Sequence, residues 1–597
     1  ELNVTGIAVY GNVDLPKGCP TLLTETYPIG QYSHTIFNFI PPHGKNRYNI
    51  PGIPKEGYFA AHPDWFSYSK RDGKRVADRQ LCFANAGLRR EMTRNFLEFV
   101  RSTPDGKLYN ISAMDVPGPF CECPDCLALA KRYGVNGGPF FDYLAEVGRE
   151  LAKVRPEARL LTLAYRREQT QEPPNSAFPG FPSNILAFFA PIDDDFSKDM
   201  SHPNNLVSVE HVRRWSKQVN HIWWWYYPNP YVTLFPYSGV RRFAADIRIL
   251  KEAGLTGTGP EHDSGRDCGA NFFDLETYVM AKLMRDLSLD ETELARDFCR
   301  NVYGAAGDLV FAYHQDLERL REACTENVGW NKPVPSSREP ANLVRWTHDF
   351  ERMEARAKGD AELLQRIREV RLGVDYGLLS TSFKRLRGAE PDFAETPDSV
   401  YVRATNTIHR AFARRNDPGR NPEYSALPVF DALYQASRAV DLRPPEFANV
   451  PDDDYGQSFL VEGTGGGRRR PMADASVGTA IWGDIEDASD RTSCEVWVYD
   501  RQGKRTMIQT HLVPAPGKEG KFHRYLVGRI RLTPEVLVVA GYSWEVRFRL
   551  DSLYVPGVDD EWDVYLDGKL EGPKFYPGST RANRAAFDRT ILIRAKK

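Results

Sequence analysis

The sequence of 597 residues is short of most features that would place it quickly. No run approaches the roughly eighteen consecutive apolar residues that a membrane helix needs. Neither sign of charge is in excess, and a formal net charge of -2 builds no field for nucleic acid or an anionic membrane. Neither G-x-S-x-G nor H-E-x-x-H occurs, which removes the usual signatures of a serine hydrolase and a zinc protease. The glycine-rich GTGGGRRRP (Gly463–Pro471) lacks the Lys-Ser/Thr and helix start of a phosphate-binding loop and reads as a flexible loop. No organic cofactor is expected. The chain opens at Glu1 without a cationic segment leading into an apolar stretch, so either a removed leader or a start within a longer protein is expected. Cysteine is modest at nine residues and unevenly placed: Cys121, Cys123 and Cys126 sit together while the rest scatter.

What is present is the composition of a folded, multi-domain protein, 41% hydrophobic and 26% charged. Short apolar runs alternate with amphipathic helical patterns up to about residue 325. The strand candidates are Asn3–Tyr10, His34–Ile40, Gln80–Phe83, Leu108–Met114, Arg159–Tyr165, Asn184–Ala190, His221–Tyr226 and Leu255–Gly259. Between them, Leu88, Met92, Phe96 and Phe99 recur at helical spacing, as do Phe140, Leu144, Val147 and Leu151, and Val240, Phe243, Ile247 and Leu250. This alternation predicts an α/β fold with a parallel sheet covered by helices, and eight strands suit a closed (β/α)₈ TIM-type barrel over residues 1–325. Residues 326–444 read as helical, interrupted by a Pro- and charge-rich stretch at Asn416–Pro428. From 445 to 597, alternating runs such as Cys494–Tyr499, Thr506–His511 and Trp562–Leu566, with turns at Arg501–Gly503 and Asp567–Gly568, predict an antiparallel β-sandwich.

Acidic and aromatic residues recur where the predicted strands end, the edge at which parallel α/β folds do their chemistry. Asp115 follows the fourth strand in SAMDVPGPF, placed to protonate a glycosidic oxygen or merely to cap a turn. Asp193 and Asp194 follow the sixth strand and Glu261 the eighth, each a candidate base or nucleophile. Tyr165 and Arg166 end the fifth strand. In the seventh, IWWWYYPNP, Trp223 and Trp224 are expected in the core, while Trp225 and Tyr227 are placed to stack on a sugar ring. His34 and His62 lie near the early strands as further substrate-binding candidates. The cluster CECPDC brings Cys121, Cys123 and Cys126 together, and Cys82 ends a neighbouring predicted strand. Four thiolates would satisfy a structural zinc; disulfide pairing and free thiols are the alternatives. A catalytic metal is disfavoured because a closed four-cysteine site has no open position for water.

Several dissimilar motifs in one order resemble a known family. They are YFAAHPDWFS (Tyr58–Ser67), GKR (Gly73–Arg75), QLCFAN (Gln80–Asn85), MD with CECPDC, the stretch Phe140–Arg166, and ANFFDLETYVMAKLMRDLSLDETELARDFCRNVYG (Ala270–Gly304). This order resembles the DUF4838 family of bacterial proteins, whose barrel is similar to α-glucuronidase and hexosaminidase-type glycoside hydrolases. The likeness covers roughly residues 30–320 and does not reach the C-terminal strands. It implies a barrel, a secreted or periplasmic location, and hydrolysis of a poly- or oligosaccharide, and it places His34, Cys82, Asp115 and the three clustered cysteines in the family's pattern. Met114 departs from the asparagine that the family's pattern has before the aspartate. The rival expectation is a non-catalytic glycan-binding protein on the same scaffold. No nucleic acid partner is expected, and nothing in the sequence sets an oligomeric state.

Overall fold

The computed structural model describes residues 33–415 except 117, 229, 231–233, 261–271, 331–332 and 382, and beyond 415 chiefly the C-terminal strands with short neighbouring stretches. A small hairpin, β1 (Tyr68–Ser69) and β2 (Lys74–Arg75), precedes the main sheet. That sheet contains β3 (Leu108–Asn110), β4 (Arg159–Tyr165), β5 (Ile185–Ala190), β6 (His221–Tyr226) and β7 (Gly257–Pro260), all parallel and in sequence order.

The central strands β4 and β5 are buried on both faces, as an apolar run without polar alternation requires. Leu160, Ala164, Ile185, Ala187, Phe189, Ile222, Trp224 and Tyr226 point one way and pack into the large core built with the helices. The intervening residues Leu161, Leu163, Tyr165, Leu186, Phe188, Ala190 and Trp225 point the other way and form a second cluster. Ile192, Phe196, Val328 and Val334 cover that second face. Parallel strands in sequential order without reversal send their connecting helices to one face when the crossovers keep one hand.

Those helices begin with α1 (Ile36–Phe39) and α2 (Ala86–Ser102), the latter started by Asn85, whose side chain accepts from the Gly87 and Leu88 N–H groups. Next come α3 (Pro124–Tyr133), ended by Gly134 in a left-handed conformation, and α4 (Gly138–Val154). α5 (Leu206–Trp215) and α6 (Val240–Glu252) complete the cover. Gly148 of α4 packs close to the start of β5, where a Cβ would meet Ile185 Cδ1 at 2.9 Å.

The eight-stranded closure expected from the sequence is not established. His34–Ile40 contains α1 and not a strand, and Gln80–Phe83 supplies one antiparallel bridge, Phe66–Leu81. Asn3–Tyr10 lies outside the described residues. Thr35 nonetheless runs beside the extension of β3: its N–H donates to Ser112 O at 3.0 Å and its Oγ1 to Asn110 O at 2.9 Å.

Beyond the sheet, α7 (Phe273–Arg285), α8 (Glu291–Tyr303) and α9 (Gly307–Glu322) lead into α10 (Pro340–Arg356), α11 (Ala361–Ser380), α12 (Phe383–Ala389) and α13 (Pro397–Arg415). Their apolar faces join the same core: Tyr313 touches Phe272, Trp346 and Phe350 with ring centroids 5.7, 5.7 and 4.9 Å away. No helix among the described residues is long and apolar enough to cross a membrane.

Among the described residues the C-terminal part is antiparallel, with ten strands from β8 (Tyr455–Thr464) to β17 (Ala582–Arg594). β8 pairs with β17 on one side and with β15 (Arg547–Leu550) on the other, joining the two halves. Two sequence expectations are corrected here. Arg468–Pro471, expected in a flexible loop, is β9 and pairs with β10 (Thr479–Ile485). Asp567–Gly568, expected as a turn, is a register shift within β16 (Asp560–Lys574), which continues past it against β17.

Candidate active site

The C-terminal ends of the parallel strands gather polar groups that the strands themselves exclude. Beyond β3 the chain runs extended to Asp115, and beyond β4 it turns through Arg166 into a short π-helical segment, Arg166–Thr170. The turn is strained: Arg166 has φ 55°, a left-handed value that a long side chain rarely takes. Thr170 stabilises it by accepting from the Tyr165 N–H at 3.0 Å.

This geometry aims two donors at one carboxylate. Asp115 Oδ1 accepts from Arg166 Nη2 at 2.8 Å and from Tyr165 Oη at 3.1 Å. The Arg166 guanidinium also lies 4.9 Å from the Tyr165 ring centroid. His34, itself at φ 57°, stands 5.7 Å from the same ring, and its Nδ1 is 2.7 Å from the Ala113 carbonyl. A carbonyl only accepts, so the neutral imidazole carries its proton on Nδ1 and leaves Nε2 as an acceptor. Burial holds the His34 pKa below its ordinary value, against the opposing pull of the Asp115 charge.

Asp115 is an anion. Burial pushes its pKa up, but the Arg166 hydrogen bond and charge and the Tyr165 hydroxyl together hold it below the ordinary carboxylate range. Its side chain is nevertheless 48% exposed, so it is open to a substrate. A general acid is served by the opposite shift, so this environment favours a base, a nucleophile or a charge stabiliser over the acid role expected from the sequence.

The next strand end is organised by Arg167, which the sequence reading did not single out. Its N–H donates to Asp193 Oδ2 at 2.9 Å and its Nη2 to Asp194 Oδ1 at 2.6 Å, where Ser208 Oγ also donates at 2.7 Å. Asp194 lies in the interior, with a side chain 3% exposed, lining a small cavity with Arg242 and Asp246. Burial pushes its pKa up to about 6. Its Oδ2 is buried without a hydrogen-bond partner and is the oxygen on which that proton would sit. The signal for Arg167 was two arginines following one strand opposite consecutive aspartates following the next.

The remaining expected residues divide. Trp225 and Tyr227 do lie on the face opposite the helices, but packed inward, with rings 5.2 Å from Phe188 and 6.0 Å from Phe196. Trp224 packs in the core against Phe243 as expected, whereas Trp223, also expected in the core, is half-buried on the opposite face, its ring 6.1 Å from Phe188. His62 is exposed and stacks on Trp65 at 4.0 Å, away from the contacts of Asp115. Glu261 lies outside the described residues, directly after β7 in sequence.

Two glutamines missed by the sequence reading hold the Asp115 loop. Gln80 clamps Met114 from both sides, donating to its carbonyl at 2.9 Å and accepting from its N–H at 3.1 Å. Gln169 donates to the carbonyls of Val116 and Gly118 at 2.6 and 2.7 Å. Close by, Cys82, Cys121, Cys123 and Cys126 converge, all buried, with their sulfur atoms within 4.8 Å of one another and none joined in a disulfide.

Comparison with curated proteins returns no match. Among solved structures the chain is similar to one described as a GH138 enzyme targeting pectin rhamnogalacturonan II. The identity is 10% over 96% of this chain and 85% of that one, at a TM-score of 0.26, a likeness too loose to bear on fold or reaction. The family comparison is specific: residues 40–315 match the model described as domain of unknown function DUF4838, in the stretch where the sequence motifs fall. That part of the chain is similar to the DUF4838 family, as the motifs of the sequence imply.

Proposed function

We propose that the protein hydrolyses glycosidic bonds in a poly- or oligosaccharide at the C-terminal edge of its parallel sheet. The observation that carries this reading is Asp115, an exposed carboxylate held ionised by Arg166 and Tyr165 beside a neutral His34. An anionic carboxylate at a strand end is suited to attack or stabilise an oxocarbenium-like centre, or to activate water. The partner acid falls to Glu261, which follows the last strand of the sheet in sequence. Arg166 and Arg167 suit an acidic or hydroxyl-rich sugar, and export follows from the family resemblance.

A specific observation favours the alternative, a glycan-binding protein without turnover. Asp194, the carboxyl at this edge with a raised pKa, is sealed in an ion pair with Arg167 and is not presented to a substrate. A broad glycan panel decides between them: sugar released in proportion to enzyme supports hydrolysis, while binding without release at any pH supports the alternative.

A further inference from the structure

We propose that Cys82, Cys121, Cys123 and Cys126 bind one zinc ion in a closed tetrahedral four-thiolate site that staples the Asp115 loop to the β1–β2 hairpin. Cys82 Sγ lies 3.6 Å from Cys123 Sγ and 3.7 Å from Cys126 Sγ. A disulfide would bring sulfurs to about 2.05 Å, and zinc bonded at about 2.3 Å to four sulfurs would set them about 3.8 Å apart. These two spacings match the tetrahedron's edge, and all four sulfurs lie within 4.8 Å of one another. The four side chains are between 2% and 6% exposed and form a cluster of their own, bordered by Tyr68 and Ala84.

The surroundings suit concentrated negative charge. The Tyr68 N–H points at Cys121 Sγ at 3.3 Å, and Arg75 Nη1 lies 3.6 Å from the same sulfur. Cys123 and Cys126 stand at the start of α3, where the unpaired N–H groups and helix dipole favour thiolate. On binding, four thiol protons leave to solvent and the site keeps a net double negative charge, which Arg75 partly offsets. With four protein ligands no position remains for water, so the ion's role is structural.

The staple reaches the loop through one covalent path and one hydrogen-bonded path. Cys121 follows Asp115 across a short loop, and Cys82 follows Gln80, whose side chain grips Met114. Only this last consequence rests on the reading of Asp115; the metal site stands without it.

Elemental analysis of wild-type protein, purified with reductant and without added metal, tests the assignment. One zinc per chain is expected, as is a thiolate-to-cobalt charge-transfer band after exchange with cobalt. Chelation should lower Tm by roughly 10 °C, and zinc alone should restore it. Cys126→Ser should lose the metal; because that variant can also fail to fold, the wild-type metal content decides. Protein with no bound metal and four titratable thiols, protein with these cysteines in disulfides, or protein holding iron would each overturn the zinc site. Zinc present without sugar hydrolysis would instead sink only the function proposed above.

Discussion

At the scale of the residue, Asp115 shows how an environment chooses a role. A carboxyl near a barrel-like edge reads from sequence as a general acid as easily as a base. The choice depends on Arg166 and Tyr165, whose guanidinium and hydroxyl converge on one oxygen only because the chain turns through a left-handed residue after β4. Since the folded pKa of Asp115 is depressed, the stability its ion pair contributes is present above the ordinary carboxylate pKa and lost as pH falls through the depressed value. Activity that uses the anion should fall along the same acid limb. Arg166→Gln removes the main stabilising partner and should move that limb to higher pH, measurable as a shifted pH–rate profile; an unmoved limb would separate Arg166 from the titration. Asp194 behaves with the opposite sign. Its pKa is raised to about 6, so its burial costs stability as pH rises from the unfolded value through that point. Asp194→Asn keeps an acceptor for Arg167 and Ser208 and should flatten this dependence in denaturation midpoints. Asp194→Ala leaves Arg167 unpaired and should cost roughly 2–5 kcal/mol in the same measurement.

At the scale of the element, strands and helices with a single periodicity were legible. Arg159–Tyr165 and His221–Tyr226 occur as the apolar runs predict, and α2, α4 and α6 carry the expected buried stripes. In β16, Trp562, Val564 and Leu566 alternate with less buried neighbours, which is why that strand could be read. Elements fixed by partners far along the chain were not legible. His34–Ile40 has a strand-like composition, yet it is held by bonds to Asn110, Ser112 and Ala113 and winds into α1. Gln80 likewise carries no local signal; its meaning comes from Met114. Gln80 is buried, and Gln80→Ala would leave the Met114 N–H without its acceptor and take one of two donors from its C=O, costing roughly 1–3 kcal/mol in chemical denaturation. A negligible cost would show that the clamp does not hold the loop.

At the scale of the whole molecule, the sheet's helices and those from α7 to α13 share one core, in which Trp346 is fully buried and donates through Nε1 to Asp316 Oδ2 at 2.8 Å. Trp346→Ala should therefore destabilise by about 3–5 kcal/mol, and calorimetry should show the sheet region and these helices melting together. Two separate transitions, only one of them shifted, would mean that the helices fold apart from the sheet. The acidic strand ends, the cysteine cluster and the family motifs were all visible in the sequence because each is local. The charge state of Asp115, the burial of Asp194 and the inward packing of Trp225 became visible only once the strands were side by side.

The most direct test is kinetic. On a glycan that the wild-type protein cleaves, Asp115→Asn keeps the side chain's shape but removes its charge, and kcat should fall at least about 100-fold while glycan affinity and Tm change little. Turnover by Asp115→Asn within a few-fold of wild type would contradict the assignment of the reaction to this carboxylate.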